Sequence, residues 1–288
     1  MNSTVITTSP SPSPNAAKKT FIFIDGSYYC FHRYYSVMRW WKNAHPDEPL
    51  NDPMDTPAFL DTFTKTFVNN ILNIPKNLNI DKKTPVTMVV GKDCKREDIW
   101  RNEFIDKYKG TRLNGPEHGF MGGPFFKMAY DTGLFEKGGV SVTLKHPKLE
   151  GDDCIAIYVK YLLKKYKDDV SIYIITSDKD YLQLIEPRVK IFNLSFKNIA
   201  ENKSCFGDAK KDLFCKIVMG DVSDNIPSVL SKCGPKTAVK CYDDRNYFDE
   251  RMKKENAYAK WENNQRIIDF DYIPSELVED FMKTAHVL

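Results

Sequence analysis

Asp221 and Asp224 stand three residues apart in GDVSDNIPSV, and the same stretch soon reaches Gly234, Pro235, Lys236 and Thr237. An acidic pair attracts a cation, whereas a glycine turn followed by Lys and Thr attracts an anion. A segment suited to both suits a phosphate held beside a metal ion. Other acids fall at the ends of apolar runs or at the openings of helical patterns: Asp25 after FIFI, Asp93 after VVGK, Glu150, Asp152 and Asp153 in EGDD, Asp178 and Asp180 in SDKD. On a helix Glu150 and Asp153 face one direction across the first turn, and on extended chain Asp178 and Asp180 point the same way. Each motif has a plainer use: EGDD as a helix cap, SDKD as a surface turn, GDVSDN as an Asx-rich loop or a fragment of a calcium site. Their joint occurrence at strand ends favours metal. Like charges gathered there would take up protons unless hard divalent cations neutralised them. An all-oxygen donor set points to Mg²⁺ or Mn²⁺ rather than zinc, and two such ions about 4 Å apart clamp the attacking and leaving oxygens of a phosphodiester. The histidines, His32, His45, His118, His146 and His286, lie outside the acidic motifs, so a histidine general base has little support.

Cations cluster where a phosphate backbone would need them. Lys95, Arg96, Arg101, Lys107, Lys109 and Arg112 are interleaved with Trp100 and Tyr108, and on a helix Arg101, Phe104 or Ile105, and Tyr108 would share one side. Such a mixture neutralises phosphates and stacks unpaired bases, and it is also what a solvated amphipathic helix looks like. His32, beside Arg33, reads as a phosphate contact rather than a base, and Arg33 as a further DNA contact.

The elements that must position these residues follow from periodicity. FIFID (Phe21 to Asp25), PVTMVVG (Pro85 to Gly91) and VSIYIITSD (Val170 to Asp178) read as buried parallel strands that deliver acids at their carboxyl ends. Thr56 to Leu72 and Asp152 to Tyr166 carry apolar residues at helical spacing. Alternation of the two predicts a doubly wound α/β sheet with ligands at the strands' carboxyl ends. Residues 113–139, rich in Gly and aromatics, read as an irregular functional insertion. After Phe206 the pattern turns to short helical segments.

Composition bounds the rest. The 288 residues allow one large domain with an appendage, and a net charge of +3 announces no global basicity. The 7 cysteines show no CxxC spacing, so neither a zinc ribbon nor a disulfide framework is indicated and a reducing, intracellular setting fits. No apolar run approaches a membrane span, and the Ser-, Thr- and Pro-rich residues 1–19 read as a disordered leader rather than a signal peptide.

Taken in order, FIDGSYYCFHRYY, WRNEFIDKYKGTR, EGDDCIAIYVK, TSDKDYLQL and GDVSDNIPSV…GPKTA resemble the 5′-nuclease family of flap endonucleases, phage ribonuclease H-type 5′-exonucleases and the 5′-nuclease domain of bacterial polymerase I. The resemblance implies a PIN-like nuclease domain over 20–205, a mostly parallel twisted sheet flanked by helices, with an arch over about 92–140. It also implies a helix-hairpin-helix-type helical subdomain over 206–288 that grips duplex DNA. Carried over by motif, Asp25, Asp93, Glu150, Asp152, Asp153, Asp178, Asp180, Asp221 and Asp224 would surround two Mg²⁺ or Mn²⁺ ions. Lys109 and Arg112 would sit on the scissile phosphate, and Tyr108 would stack a displaced base. Gly234, Pro235, Lys236 and Thr237 would hold a downstream phosphate beside a K⁺ ion. The implied function is a monomeric, metal-dependent 5′ flap endonuclease or 5′-3′ exonuclease of DNA replication or repair, with a PIN-like RNA nuclease or a catalytically silent junction-binding protein as alternatives. Two departures stand out. The second strand ends VVGKDCKRED, which leaves Asp93 or Asp98 as its ligand, and Lys232-Cys233-Gly234 replaces the usual Gly-hydrophobic-Gly turn.

Overall fold

The computed structural model describes residues 18–110, 120–203 and 205–285. Its centre is a five-stranded, wholly parallel sheet in the order β3-β2-β1-β4-β5, built from β1 (Lys19–Asp25), β2 (Val86–Gly91), β3 (Val140–Leu144), β4 (Val170–Ile175) and β5 (Val189–Phe192). β1 lies in the middle, so both of its faces are covered and its apolar residues run without interruption. Phe21 and Phe23 enter one core and Ile22 and Ile24 the other.

Helices fill both faces, as a doubly wound sheet requires. One core gathers α1 (Gly26–Ala44), α2 (Pro57–Leu72), α3 (Ile74–Asn77), α4 (Gly123–Asp131) and α5 (Leu134–Lys137) around Phe59, Phe63, Phe67, Phe125 and Phe135. The other is dominated by α6 (Gly151–Tyr166), with Cys154, Ile155, Tyr158 and Leu162 fully buried. The insertion over 113–139 is therefore less irregular than its composition suggests: from Gly123 onward it forms α4 and α5, because Phe125 and Ala129 of α4 and Leu134 and Phe135 of α5 close the first core. The expected helix through Arg101 and Tyr108 is not formed. Short 3-10 turns over Arg96–Asp98 and Trp100–Glu103 lead instead into further turns up to Gly110.

After β5 come α7 (Ala209–Met219), α8 (Pro235–Asp243), α9 (Arg245–Glu255) and α10 (Tyr258–Ile268), packed around Phe214, Leu230, Phe248 and Met252. Asn264 of α10 is buried and donates to the carbonyls of Ile217 and Pro227 at 3.0 and 2.8 Å. α11 (Ser275–Thr284) leaves this helical part and returns to the sheet domain. Its apolar stripe, Leu277, Val278, Phe281 and Met282, joins the core under α6, and His146 Nε2 meets Asp280 at 3.0 Å. No helix among the described residues is long and apolar enough to cross a membrane.

One side chain ties these parts together. Arg101 is 2% exposed and holds both oxygens of the wholly buried Asp153, at 2.6 and 2.7 Å, while its Nε donates to the Ile267 carbonyl at the end of α10 at 2.8 Å. A bidentate guanidinium–carboxylate pair is strong when every lone pair is met, and Trp100 Nε1 supplies a further donor to Asp153 at 3.0 Å. Arg101 therefore does not bind DNA, contrary to the reading from its basic neighbours: burial puts the guanidinium out of reach of a phosphate. Replacing Arg101 by Leu leaves the Asp153 carboxylate buried and unpaired. Urea denaturation should show a loss of about 3–5 kcal/mol, with Arg101→Lys recovering part of it; an unchanged midpoint would contradict this tie.

Candidate active site

The strand order reverses direction between β1 and β4, and in open parallel sheets the crevice outside the strand ends at such a point is where ligands bind. Asp25 is the last residue of β1. It caps α1 by accepting from Tyr28 N at 3.0 Å and receives the Thr176 hydroxyl, from just beyond β4, at 2.8 Å. Thr176 is fully buried and its Oγ1 also accepts from Asp178 N at 3.0 Å, so one hydroxyl sets the positions of two acids. On the other side Asp25 pairs in register with Gly91 of β2, two residues before Asp93.

Asp93 accepts from Ser27 Oγ at 2.5 Å and from Gly151 N at 2.6 Å, which turns it to the mouth of α6. Asp98 lies in the exposed turn over Arg96–Asp98. Asp93 is thus the acid that the second strand brings to the crevice. At the start of α6, Glu150 is the N-cap and Asp153 reciprocates by accepting from Glu150 N at 3.2 Å. Glu150, Asp152 and Asp153 each offer an oxygen within 4.8 Å of the others. Asp153 is the deepest of the three: it is wholly buried, and Arg101 and Trp100 donate to its oxygens.

Beyond β4, Asp178 accepts from Asp180 N at 2.9 Å and starts the 3-10 turn over Lys179–Leu184. Asp221 accepts from Ser223 N and Oγ at 2.8 and 2.6 Å, and Lys216 of α7 reaches both Asp180 and, at 3.1 Å, Asp221. Asp224 is buried and closes the far wall with Tyr108, whose hydroxyl lies 3.4 Å from Asp224 and 3.2 Å from Glu150. Tyr108 is itself buried among Ile99, Ile217, Ile226, Ile267 and Ile268, so its ring is not free to stack a base, which corrects that expectation.

Lys109 is the cation between Glu150 and Asp224. Its Nζ meets Glu150 at 2.5 Å and lies 3.9 Å from Asp224, and its backbone N donates to the Asp224 carbonyl at 3.1 Å. Lys107 and Lys109 both hold left-handed backbone, with φ of 57 and 54°, unusual for residues with a Cβ and a form of strain that gathers at functional turns. Arg112 lies outside the described residues. Arg96 is exposed, while Arg33 is half-buried with Nη2 at 2.6 Å from His32 Nδ1. Gly234, Pro235 and Lys236 are exposed and Thr237 partly so, at the start of α8. Gly234 has extended backbone and open space where a Cβ would go, so nothing steric requires glycine there.

Electrostatics report an unneutralised field. Burial, reinforced by Asp93 and Asp178, pushes the Asp25 carboxyl up to about 7. Asp152 is pushed well above the usual carboxylate range by burial and by Asp153 and Glu150. Glu150 is raised by burial despite Lys109 and Arg101. At Asp221 burial is outweighed by Lys216 and Ser223, and the carboxyl is lowered. The Tyr181 hydroxyl is buried without a hydrogen-bond partner among the described residues and feels Asp25, Asp152 and Asp178. Oxygen-only donors, carboxyls driven toward the protonated form and an orphaned hydroxyl beneath them all fit hard divalent cations. Thr176, Ser27 and Lys216 were not singled out by sequence reasoning. Ser27 directly follows the DG of the first motif and Thr176 directly precedes SD, so adjacency to an acid was the available signal; Lys216 had none beyond lying on the segment before Asp221.

Comparison with known proteins agrees with this geometry. Residues 20–211 match the family described as the 5′-3′ exonuclease, N-terminal resolvase-like domain. The 5′-3′ exonuclease of Buchnera aphidicola subsp. Schizaphis graminum (strain Sg) is 29% identical over 231 residues, covering 78% of this chain and 70% of its own. The ribonuclease H of Enterobacteria phage T4 is 28% identical over 208 residues, covering 66% of each chain. The T5 D15 protein, co-crystallised with metal ions, shares the fold with a TM-score of 0.63 at 19% identity, over 92% of this chain and 97% of its own. With a match across most of its length and acids gathered where that fold places ligands, the chain belongs to the 5′-3′ exonuclease family of nucleases.

Proposed function

We propose that this nuclease hydrolyses phosphodiester bonds of DNA near a 5′ end, as a monomer acting on flaps, nicks or gaps in replication or repair. The observation that carries the reading is the convergence of carboxylates from β1, β2, α6, the β4 end and the α7 end on one edge of the sheet, with Lys109 held against Glu150 by a strained turn. Asp25, Asp93, Glu150 and Asp152 would hold one Mg²⁺ or Mn²⁺ ion, and Asp178, Asp180, Asp221 and Asp224 a second. When bound, such ions neutralise the phosphate and make water acidic enough to attack at neutral pH.

The chain's own residues do the remainder. Burial works against the charge on Lys109, but Glu150 and its neighbours hold its pKa well above the ordinary lysine value, so it acts as a fixed positive charge rather than a proton carrier. Released from Glu150, it can meet a phosphate oxygen and stabilise charge that grows in the transition state. Arg112 is proposed for the same role. Lys216 sits between Asp180 and Asp221, and it would have to give way for these two acids to hold a divalent ion. The exposed start of α8, with Lys236 and Thr237 and a K⁺ ion at the turn before it, would take a phosphate of the downstream duplex, and Arg33 and Arg96 would take phosphates nearer the site.

Cleavage of a 5′-labelled flap duplex with Mg²⁺ and with EDTA, beside matched single-stranded DNA and RNA, tests the reading. Metal-dependent cutting at the junction is expected; cutting of RNA alone would move the substrate to RNA, and tight binding without cutting would make the chain a junction binder. Asp178→Asn should lower the single-turnover rate by more than about 10³-fold while DNA affinity is kept, and an unchanged rate would remove Asp178 from the site. Lys109→Ala should lower the same rate by about 10²–10³-fold. Because the folded Asp25 carboxyl is raised from 3.8 to about 7, the metal-free chain is favoured at low pH and loses that stability as pH rises through about 7. Mg²⁺ replaces the proton, so the Mg²⁺-induced rise in Tm over EDTA should be larger at pH 8 than at pH 6. An equal rise at both would show that Asp25 does not lie at the metal.

A further inference from the structure

The outer face of α1 carries a row of side chains that the acidic site does not use. Tyr28, His32, Tyr35, Arg39 and Lys42 recur at helical spacing on one stripe, opposite the buried Cys30, Tyr34, Val37 and Trp41. Tyr35 is 53% exposed on this stripe and Trp40 39% exposed beside it, about 140° round the helix, so the two rings stand in solvent on either side of Arg39. Beside them opens a cleft of about 730 Å³ between the end of α1 and residues 45–50, lined by Tyr35, Arg39 and Lys42. Its wall is the His45 ring stacked on Trp41, with centroids 4.0 Å apart and planes at 16°. The acid lining the cleft, Glu48, is engaged by His45 at 3.2 Å, which leaves Arg39 and Lys42 without a carboxylate of the cleft to pair with.

The chemistry selects the ligand. A protein partner docking on exposed rings wants a continuous apolar patch, whereas here each ring is flanked by a cation. Rings for bases and cations for phosphates, alternating along a surface, are what an unpaired nucleic-acid strand needs. The stripe also has a direction. α1 begins at Asp25, in the crevice, and from Tyr28 to Lys42 it runs outward by about 21 Å, enough for a few nucleotides. We propose that the outer face of α1 and the cleft at its end bind an unpaired strand leading away from the acidic site, with bases on Tyr35 and Trp40 and phosphates on Arg39 and Lys42. This rests on the nuclease reading only in taking that strand to be the substrate's unpaired arm.

Two double variants of the full chain, Tyr35→Ala with Trp40→Ala and Arg39→Glu with Lys42→Glu, test it, their folding checked by thermal melting. Binding of labelled oligo-dT is measured in EDTA, and Mg²⁺-dependent cleavage is measured on a flap duplex and on a nicked duplex with no unpaired arm. Each variant should bind oligo-dT about tenfold or more weakly and cut the flap correspondingly slower at low substrate, while cutting the nicked duplex at the wild-type rate. Unchanged oligo-dT binding in both variants would overturn the proposal, as would an equal fall on flap and nick. The two readings fail separately. Wild-type chain that cuts nothing, with oligo-dT binding lost in the variants, removes the nuclease and keeps the track; flap cutting by variants that match wild type removes the track and keeps the nuclease.

Discussion

Parallel strands deliver their carboxyl ends to one edge, and in this chain those ends are acidic. Asp25, Asp93 and Asp178 leave neighbouring strands, and α6 presents Glu150 and Asp152 to the same crevice. Crowding of like charge with burial is what lifts Asp25 toward neutrality and Asp152 well above its usual range. Everything around the crevice answers that repulsion, either by donating hydrogen bonds to the acids or by bringing positive charge to them.

Three cations answer it in three ways. Arg101 is buried with Asp153 in a bidentate pair, and it links α6 to the end of α10. Lys109 is partly buried, held on Glu150 by a turn whose backbone is fixed to Asp224, so its charge is placed but can be redirected. Lys216, on the more open side, bridges Asp180 and Asp221. The gradient from fold to function follows solvent access: the deeper the ion pair, the more its loss leaves an uncompensated charge.

The helical part after β5 is joined to this arrangement rather than appended to it. Asp221 and Asp224 close the crevice from the α7 end, Arg101 grips α10, and α11 comes back to pack under α6 with Phe281 buried at its centre. Whatever moves the helical part also moves two acids and the turn that carries Lys109.

The sequence by itself determined the elements and most of the acids, because short apolar runs ending in Asp and helical patterns opening with Glu or Asp are local signals that tertiary context had no reason to override. β1, β2, α2 and α6 are read from periodicity to within a residue or two, and β4 runs three residues short of its reading. Weaker signals went unread: the half-buried β3 and four-residue β5 are short edge strands, and α4 was hidden behind glycines. Only the tertiary structure decided what each charged residue does. Arg101 and Lys109 look alike in a basic stretch, yet one is locked on a buried carboxylate and the other left within reach of solvent; Asp152 and Asp153 are adjacent, yet successive residues of a helix point about 100° apart, so one faces the crevice and the other the core. Depth and direction belong to the packing of distant segments, and no local spacing records them.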